Sequence, residues 1–399
     1  MTSRRSRERR LAHVVGPRRR LARWLVVSPL VLAGCSPESG AAATARAVTG
    51  RRAAGDSLYI GVAAARSASG TEFFRGVELA VADLNASRAP DSPPFALRMP
   101  PERQSSQVAV AAAFRDDPSV IGVVGHTGSA QTLDAAPVYG DVEHEGRHAV
   151  VAITPTATNP MVSRASEWVF RVCPTDDDGA RALAHFAADS IGAKRVAVIY
   201  RNDLFGRGFT RAITPMLESR GVRVTERDPY LAGVTTYAAY AERIVRGRVD
   251  ALVIAGGAAD AADMIRAVRH AGGNPTVLGT DDVAGIGTDF AATQEFRGVR
   301  FTSFYLPDRP APGALRGFAT AYAKRFHETP GHRAALAYDA AMLIGRAAMA
   351  VGPDRGRIRD WLASVGRGAP SYMGATGQIR FDQYGGAVGK QVIVGEVRP

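Results

Sequence analysis

Three short runs in this sequence carry groups able to hold a small zwitterion. Gly125-His126-Thr127-Gly128-Ser129-Ala130-Gln131 and Thr154-Pro155-Thr156-Ala157-Thr158-Asn159-Pro160 each follow an apolar stretch and are rich in small and hydroxyl-bearing residues. Loops of this type set side-chain hydroxyls beside free backbone N–H groups. Where such a loop opens a helix, it forms a site for an anion such as an α-carboxylate. The third run, Thr280-Asp281-Asp282, offers carboxylates to an ammonium group. This is chemistry of capture rather than bond-making. Ser129 lacks the G-x-S-x-G elbow of a nucleophilic serine, and Gly206-Arg207-Gly208 lacks the third glycine of a dinucleotide loop. His126 either lines the same site or packs behind it.

Other runs invite sharper chemistry and lose it on context. His144-Glu145-Gly146-Arg147-His148 spells H-E-x-x-H, which as a metallohydrolase site needs both histidines on one helical face. Gly146 interrupts the motif and an apolar strand begins at Ala149, so a helix end and an exposed turn are expected. Asp176-Asp177-Asp178 suits the first turn of a helix better than calcium. Cys35 and Cys173 are the only two cysteines, which excludes a disulfide framework. Cys173 is expected to be buried and inert. No metal and no cofactor are expected.

The elements that would position these runs alternate regularly. Strands are predicted at Leu58–Ala65, Phe95–Met99, Val120–Gly125 and Ala149–Thr154. Helices are predicted over Gly70–Ser87, Gln107–Arg115 and Ser129–Val142. The alternation restarts with a helix at Asp177–Ile191 and strands at Arg195–Tyr200, Val222–Tyr230, Ala251–Ala255 and Thr276–Gly279. Helices Leu204–Arg220, Tyr237–Arg246 and Ala259–His270 separate them. Later come a strand near Val299–Tyr305, helices at Gly313–His327, Arg333–Val351 and Ile358–Val365, and two closing strands. Repeated βα units with almost wholly apolar strands imply parallel sheets covered on both faces, hence an α/β fold. Two runs of such units imply two doubly wound lobes, with ligand at the carboxyl ends of the strands.

The N-terminus is an address. Nine arginines and one glutamate in residues 1–34 precede the apolar stretch Trp24–Ala33. They carry +8 of the chain's +12, leaving +4 spread over the remainder. No basic stripe interleaved with aromatics is present, so nucleic acid is not an expected partner. A charged start, a short apolar middle and small residues at the end make a secretory signal over residues 1–34. Leu32-Ala33-Gly34-Cys35 resembles the lipobox of bacterial lipoproteins. The resemblance implies cleavage before Cys35 and lipidation there, with the membrane engaged through the lipid alone. Ser3-Arg4-Arg5 leaves the export route, general or twin-arginine, open. Residues 35–56 are expected to be a flexible tether.

Taken in order along residues 58–399, the marks resemble the periplasmic leucine/isoleucine/valine-binding proteins, the type I solute-binding proteins of ABC transporters. The marks are Gly76 with Ala82-Asp83-Leu84-Asn85, the Gly125–Gln131 and Thr154–Pro160 loops, and Val169-Phe170-Arg171. Asp203-Leu204-Phe205-Gly206 and Gly279-Thr280-Asp281 complete them. The resemblance implies two lobes joined by a three-crossing hinge, residues 57–173 with 305–375 and residues 174–304 with 376–399. It implies an amino-acid-like solute, an ABC-transporter permease as partner, a monomer, and no catalysis. Ser129 and Thr158 then fall where the family binds the α-carboxylate, with backbone help near Ala157. Asp281 falls at the acid for the α-ammonium, and Phe205 at an aromatic over the ligand. The departures are Ala258 after Gly256-Gly257, no tryptophan or tyrosine around Ser67–Thr71, and an aspartate at 281 where glutamate is common. They leave room for a larger or more polar ligand. A ligand sensor or envelope scaffold on the same fold is the alternative.

Overall fold

The computed structural model of the chain describes residues 44–46, 48, 57–64, 68–101, 106–234, 236–289 and 294–397. The predicted signal over residues 1–34 and the expected lipidation site, Cys35, lie outside the described residues.

The first run builds β1 (Leu58–Ala63), α1 (Ala68–Ser87), β2 (Phe95–Arg98), α2 (Gln107–Asp116), β3 (Val120–Gly125), α3 (Ser129–Tyr139), β4 (Ala152–Thr154) and β5 (Val169–Arg171). Its strands form a parallel sheet in the order β2-β1-β3-β4-β5. Every residue of β3 is buried, as a strand covered on both faces requires. Ile60, Val62 and Val124 pack with Phe73, Val77 and Leu84 of α1 on one side. Val120 and Val123 pack with Phe114 and Tyr139 on the other.

The second run builds α4 (Asp176–His185), β6 (Arg195–Arg201), α5 (Leu204–Glu218), β7 (Arg223–Tyr230), α6 (Ala238–Gly247), β8 (Ala251–Ala255), α7 (Ala258–His270), β9 (Thr276–Gly279), α8 (Ile286–Asp289) and β10 (Arg300–Ser303). Successive residues of β6 face opposite sides: Val196 and Val198 join one core, Ala197 and Ile199 the other. The chain then adds α9 (Phe318–Phe326), α10 (His332–Val351), α11 (Arg355–Ser364), a hairpin of β11 (Tyr372–Gly374) and β12 (Gly377–Ile379), and β13 (Ile393–Glu396). The second sheet runs β13-β10-β9-β8-β6-β7, with only β13 antiparallel.

The chain passes between the two sheets three times: after β5, after β10, and before β13. The first and third passages are bonded together. The Arg171 N–H donates to the Gly385 carbonyl at 2.9 Å, and the Ala387 N–H to the Arg171 carbonyl at 2.8 Å. The buried Asp339 carboxylate of α10 accepts from the Ala375 and Thr376 N–H groups at 2.6 and 2.9 Å. Lys390 Nζ donates to the Thr376 carbonyl at 2.7 Å. The expected lobe boundary at 375/376 falls inside this bonded region. Ile379, Phe381 and Ala387 belong to the first core, with the Phe381 ring 5.1 Å from that of Phe170.

Local differences from the sequence reading have physical causes. The helix expected from Gly313 starts only at Phe318, because Gly313 and Gly317 adopt φ of 71° and 97°, outside the helical region. Within the expected tether, Thr44–Arg46 and Val48 are helical. Arg46 is buried there. Its Nη1 donates to the Gly146 carbonyl at 3.0 Å and its guanidinium lies 5.5 Å from the centroid of the Trp168 ring.

Candidate functional site

The ends of β3 and β4 present the two hydroxyl-rich loops side by side. Gly125 is required where β3 ends. Its φ is 140° and a Cβ would stand 2.5 Å from the Ala63 carbonyl oxygen. Gly128 precedes α3 without a capping side chain, so the first N–H groups of that helix are left for another acceptor. The loops are laced together. Thr156 Oγ1 donates to the Thr127 carbonyl at 2.7 Å, and the Asn159 N–H to Ser129 Oγ at 3.3 Å.

From the second sheet, α5 begins at the end of β6 with Asp203 as its cap. Asp203 Oδ1 accepts the Gly206 N–H at 2.8 Å, and Arg201 Nε donates to Asp203 Oδ2. Phe205 therefore sits on the first turn of α5. Beyond β9, Asp281 and Asp282 open a short 3-10 turn.

Between the two lobes lies a cavity of about 350 Å³. The first lobe contributes Gly70, Thr127, Gly128, Ser129, Ala130, Gln131, Thr156, Thr158 and Arg333. The second contributes Arg201, Asp203, Leu204, Phe205, Asp281 and Asp282. Ser129, Thr158, Phe205 and Asp281 thus line one cavity. Ala157 and His126 do not. The Ala157 N–H is directed at Thr154 Oγ1 at 3.2 Å. His126 is 1% exposed, with Nδ1 at 2.6 Å from Gln107 Oε1 and Nε2 at 2.9 Å from the Tyr139 hydroxyl. Packing accounts for this histidine, and burial pushes its pKa down to about 4, so the ring is neutral.

Asp282 joins the lining from the acidic run, with three charged groups that the loop motifs did not mark as site residues, Arg201, Asp203 and Arg333. Asp203 and Asp282 lie within the quoted runs, whereas Arg201 and Arg333 lie outside them. Arg333, the second residue of α10, reaches across the cleft. Its Nη2 donates to Asp282 Oδ1 at 2.9 Å. A cation in the first turn of a helix opposes the helix dipole, and this was the one local signal that Arg333 has a role elsewhere. Asp281 is 6% exposed. Burial and the neighbouring Asp282 charge hold its carboxyl well above the ordinary range, with Arg333 acting in the opposite sense.

The histidine motif does not assemble. Asp141 and Glu145 take left-handed φ of 49° and 55° around a three-residue 3-10 turn. His144 Nδ1 is tied to Asp141 Oδ1 at 2.8 Å. Among the described residues no group of three His, Cys, Asp or Glu side chains is placed to hold a metal ion. Thr175 and Asp178 form a reciprocal capping box at the start of α4, at 3.1 Å in both directions. Cys173 is buried, and burial pushes its thiol up to about 12.

Comparison with known proteins places this geometry in context. The family model described as "Periplasmic binding protein" matches residues 59–399. An amino acid binding protein of Pseudomonas aeruginosa is 29% identical over 61% of this chain and 66% of its own length. The Leu/Ile/Val/Thr-binding protein of Salmonella typhimurium is 26% identical over 58% of this chain and 63% of its own. These matches therefore span somewhat under two thirds of those relatives. The crystal structure of a leucine binding protein, LivK, from Thermotoga maritima superposes with a TM-score of 0.75 at 25% identity, covering 86% of this chain and 95% of that one. A Rhodopseudomonas palustris solute binding protein in complex with benzoate shares the fold at a TM-score of 0.72 and 15% identity, covering 86% of this chain and 93% of that one. With its two parallel-sheet lobes, three crossings and a family match over residues 59–399, the chain belongs to the periplasmic binding protein family.

Proposed function

We propose that this protein is an exported, lipid-anchored receptor that captures an amino acid between its lobes and hands it to an ABC-transporter permease. The observation that carries the reading is the cavity itself. A hydroxyl and N–H wall at Ser129, Thr156 and Thr158 faces a buried carboxylate at Asp281 from the other lobe. The α-carboxylate takes the first wall, where the start of α3 supplies donors and a favourable dipole end. The α-ammonium takes Asp281, whose ionisation the ligand's own charge restores. Phe205 covers the ligand from the first turn of α5. Only the state with both lobes engaged makes both sets of contacts, so ligand shifts the lobes toward it.

Relatives named for leucine, isoleucine, valine and threonine binding support the amino-acid class. Lipidation at Cys35 after removal of residues 1–34 supplies the anchor. Binding by a monomer, without cofactor or catalysis, completes the reading. Titration calorimetry of the full chain against the common amino acids tests it. Asp281→Ala is expected to weaken binding by about 100-fold, because it leaves the ligand's ammonium buried without a counter-charge. Ser129→Ala is expected to lose about tenfold, the worth of one hydrogen bond to a charged group. Undiminished affinity in Asp281→Ala would remove the ammonium role.

A further inference from the structure

Once the zwitterion has used Ser129, Thr158 and Asp281, the remaining wall still holds four charged side chains, beside Thr127, Gln131, Thr156, Leu204 and Phe205. Arg333 and Asp282 pair across the lobes at 2.9 Å, and Arg201 pairs with Asp203. A branched aliphatic side chain enclosed here would strip water from four charged groups and return no hydrogen bond to any of them. A singly charged end would repel one member of each pair. A planar group that carries an acceptor and a donor together meets both. Its carbonyl oxygen accepts from a guanidinium and its NH₂ donates to a carboxylate. Among the described residues each guanidinium uses one N–H on its partner, Nη2 of Arg333 and Nε of Arg201. An arginine has five N–H donors, so others are left for a ligand.

We propose that Arg201, Asp203, Asp282 and Arg333 form a side-chain subsite that selects an amino acid ending in a carboxamide over one ending in an aliphatic branch. The inference rests on amino-acid capture as set out above. Arg333 comes from α10 on the first lobe and Asp282 from the turn after β9 on the second. The subsite is therefore complete only when the lobes meet, and the ligand's far end contributes to closure as well as to recognition.

The test is titration calorimetry of the full chain, freed of carried-over solute by dialysis, with L-glutamine, L-asparagine, L-leucine, L-glutamate and L-lysine. The better of the two amides is expected to bind at least ~100-fold more tightly than leucine, the discrimination typical of a site whose polar groups are otherwise left unpaired. It should also exceed glutamate and lysine. Arg333→Met and Arg201→Met are each expected to cut the amide-to-leucine ratio to under about tenfold. Arg201→Lys should do so too, since it keeps the charge and loses the planar fork. The ranking in the unaltered chain decides the matter even if a variant fails to fold. Leucine, glutamate or lysine binding more tightly than both amides overturns the carboxamide class and leaves amino-acid capture standing. Absence of binding by all five overturns both.

Discussion

Asp176 sits in an environment that its local sequence does not announce. It opens α4 beside two other aspartates, yet it is 3% exposed and neither carboxylate oxygen has a well-formed hydrogen bond. Burial raises its pKa from an ordinary 3.8 to about 7, with the Thr158 hydroxyl and Arg171 acting in the opposite sense. In the unfolded chain the group ionises near pH 4; in the fold it holds its proton until near pH 7. The fold thus binds more protons between those limits, and stability falls as pH rises through that window and levels off above it. Asp176→Asn removes this loss. We expect the variant to exceed the parent in urea-unfolding stability at pH 8 by on the order of 2–4 kcal/mol, with the difference vanishing near pH 4. A difference independent of pH would assign the effect to packing instead. The same residue shows what a linear reading can and cannot find. Hydroxyls at strand ends and an acid after β9 were legible, because small polar loops after apolar strands have few other uses. Which of three aspartates turns inward, and that His126 packs on Tyr139, depends on neighbours distant in sequence.

At the scale of elements, the strands were the most legible part, since burial on both faces leaves almost no polar residue in β3 or β8. Helix contacts were less so. α1 and α10 approach closely enough that a Cβ on Gly76 would stand 2.2 Å from the Ala334 carbonyl oxygen. Glu72 Oε1 accepts the Ala334 N–H at 3.1 Å, so α1 sets the start of α10 and with it the position of Arg333. Arg355, in the first turn of α11, had no sequence signal as a structural centre. It is fully buried, and its guanidinium donates to the carbonyls of Val120, Arg115, His148 and Asp117 at 2.5–2.9 Å. These carbonyls belong to the end of α2, the start of β3 and the turn before β4, so one side chain fastens three connections at the end of the first sheet opposite the Ser129 loop. Burial pulls its pKa down to about 10, leaving it charged at neutral pH. Arg355→Met is expected to destabilise the fold by about 3–5 kcal/mol, because the carbonyls lose their donor while remaining buried. Chemical denaturation checks this. A loss below about 1 kcal/mol would mean that water replaces the guanidinium.

At the scale of the whole molecule the question is what holds the lobes together. The Arg333–Asp282 pair is the direct ionic link across the cavity, with side-chain exposures of 14% and 39%. A pair open to solvent on one side contributes about 1 kcal/mol or less. Moving a two-state equilibrium from mostly open to mostly closed takes about 5.5 kcal/mol. The pair alone therefore cannot keep the lobes closed, and on the proposed reading the ligand supplies most of the difference through Ser129 and Asp281. Solution X-ray scattering of the full chain should show a radius of gyration that falls when a bound amino acid is added. For Asp282→Asn the same fall is expected at ligand concentrations about five times higher, the equivalent of about 1 kcal/mol. For Asp281→Ala the fall is expected only at concentrations about 100 times higher than the parent needs. A radius that does not change with ligand in the parent chain would mean that the ion pair and lobe contacts already suffice, and would overturn ligand-driven closure.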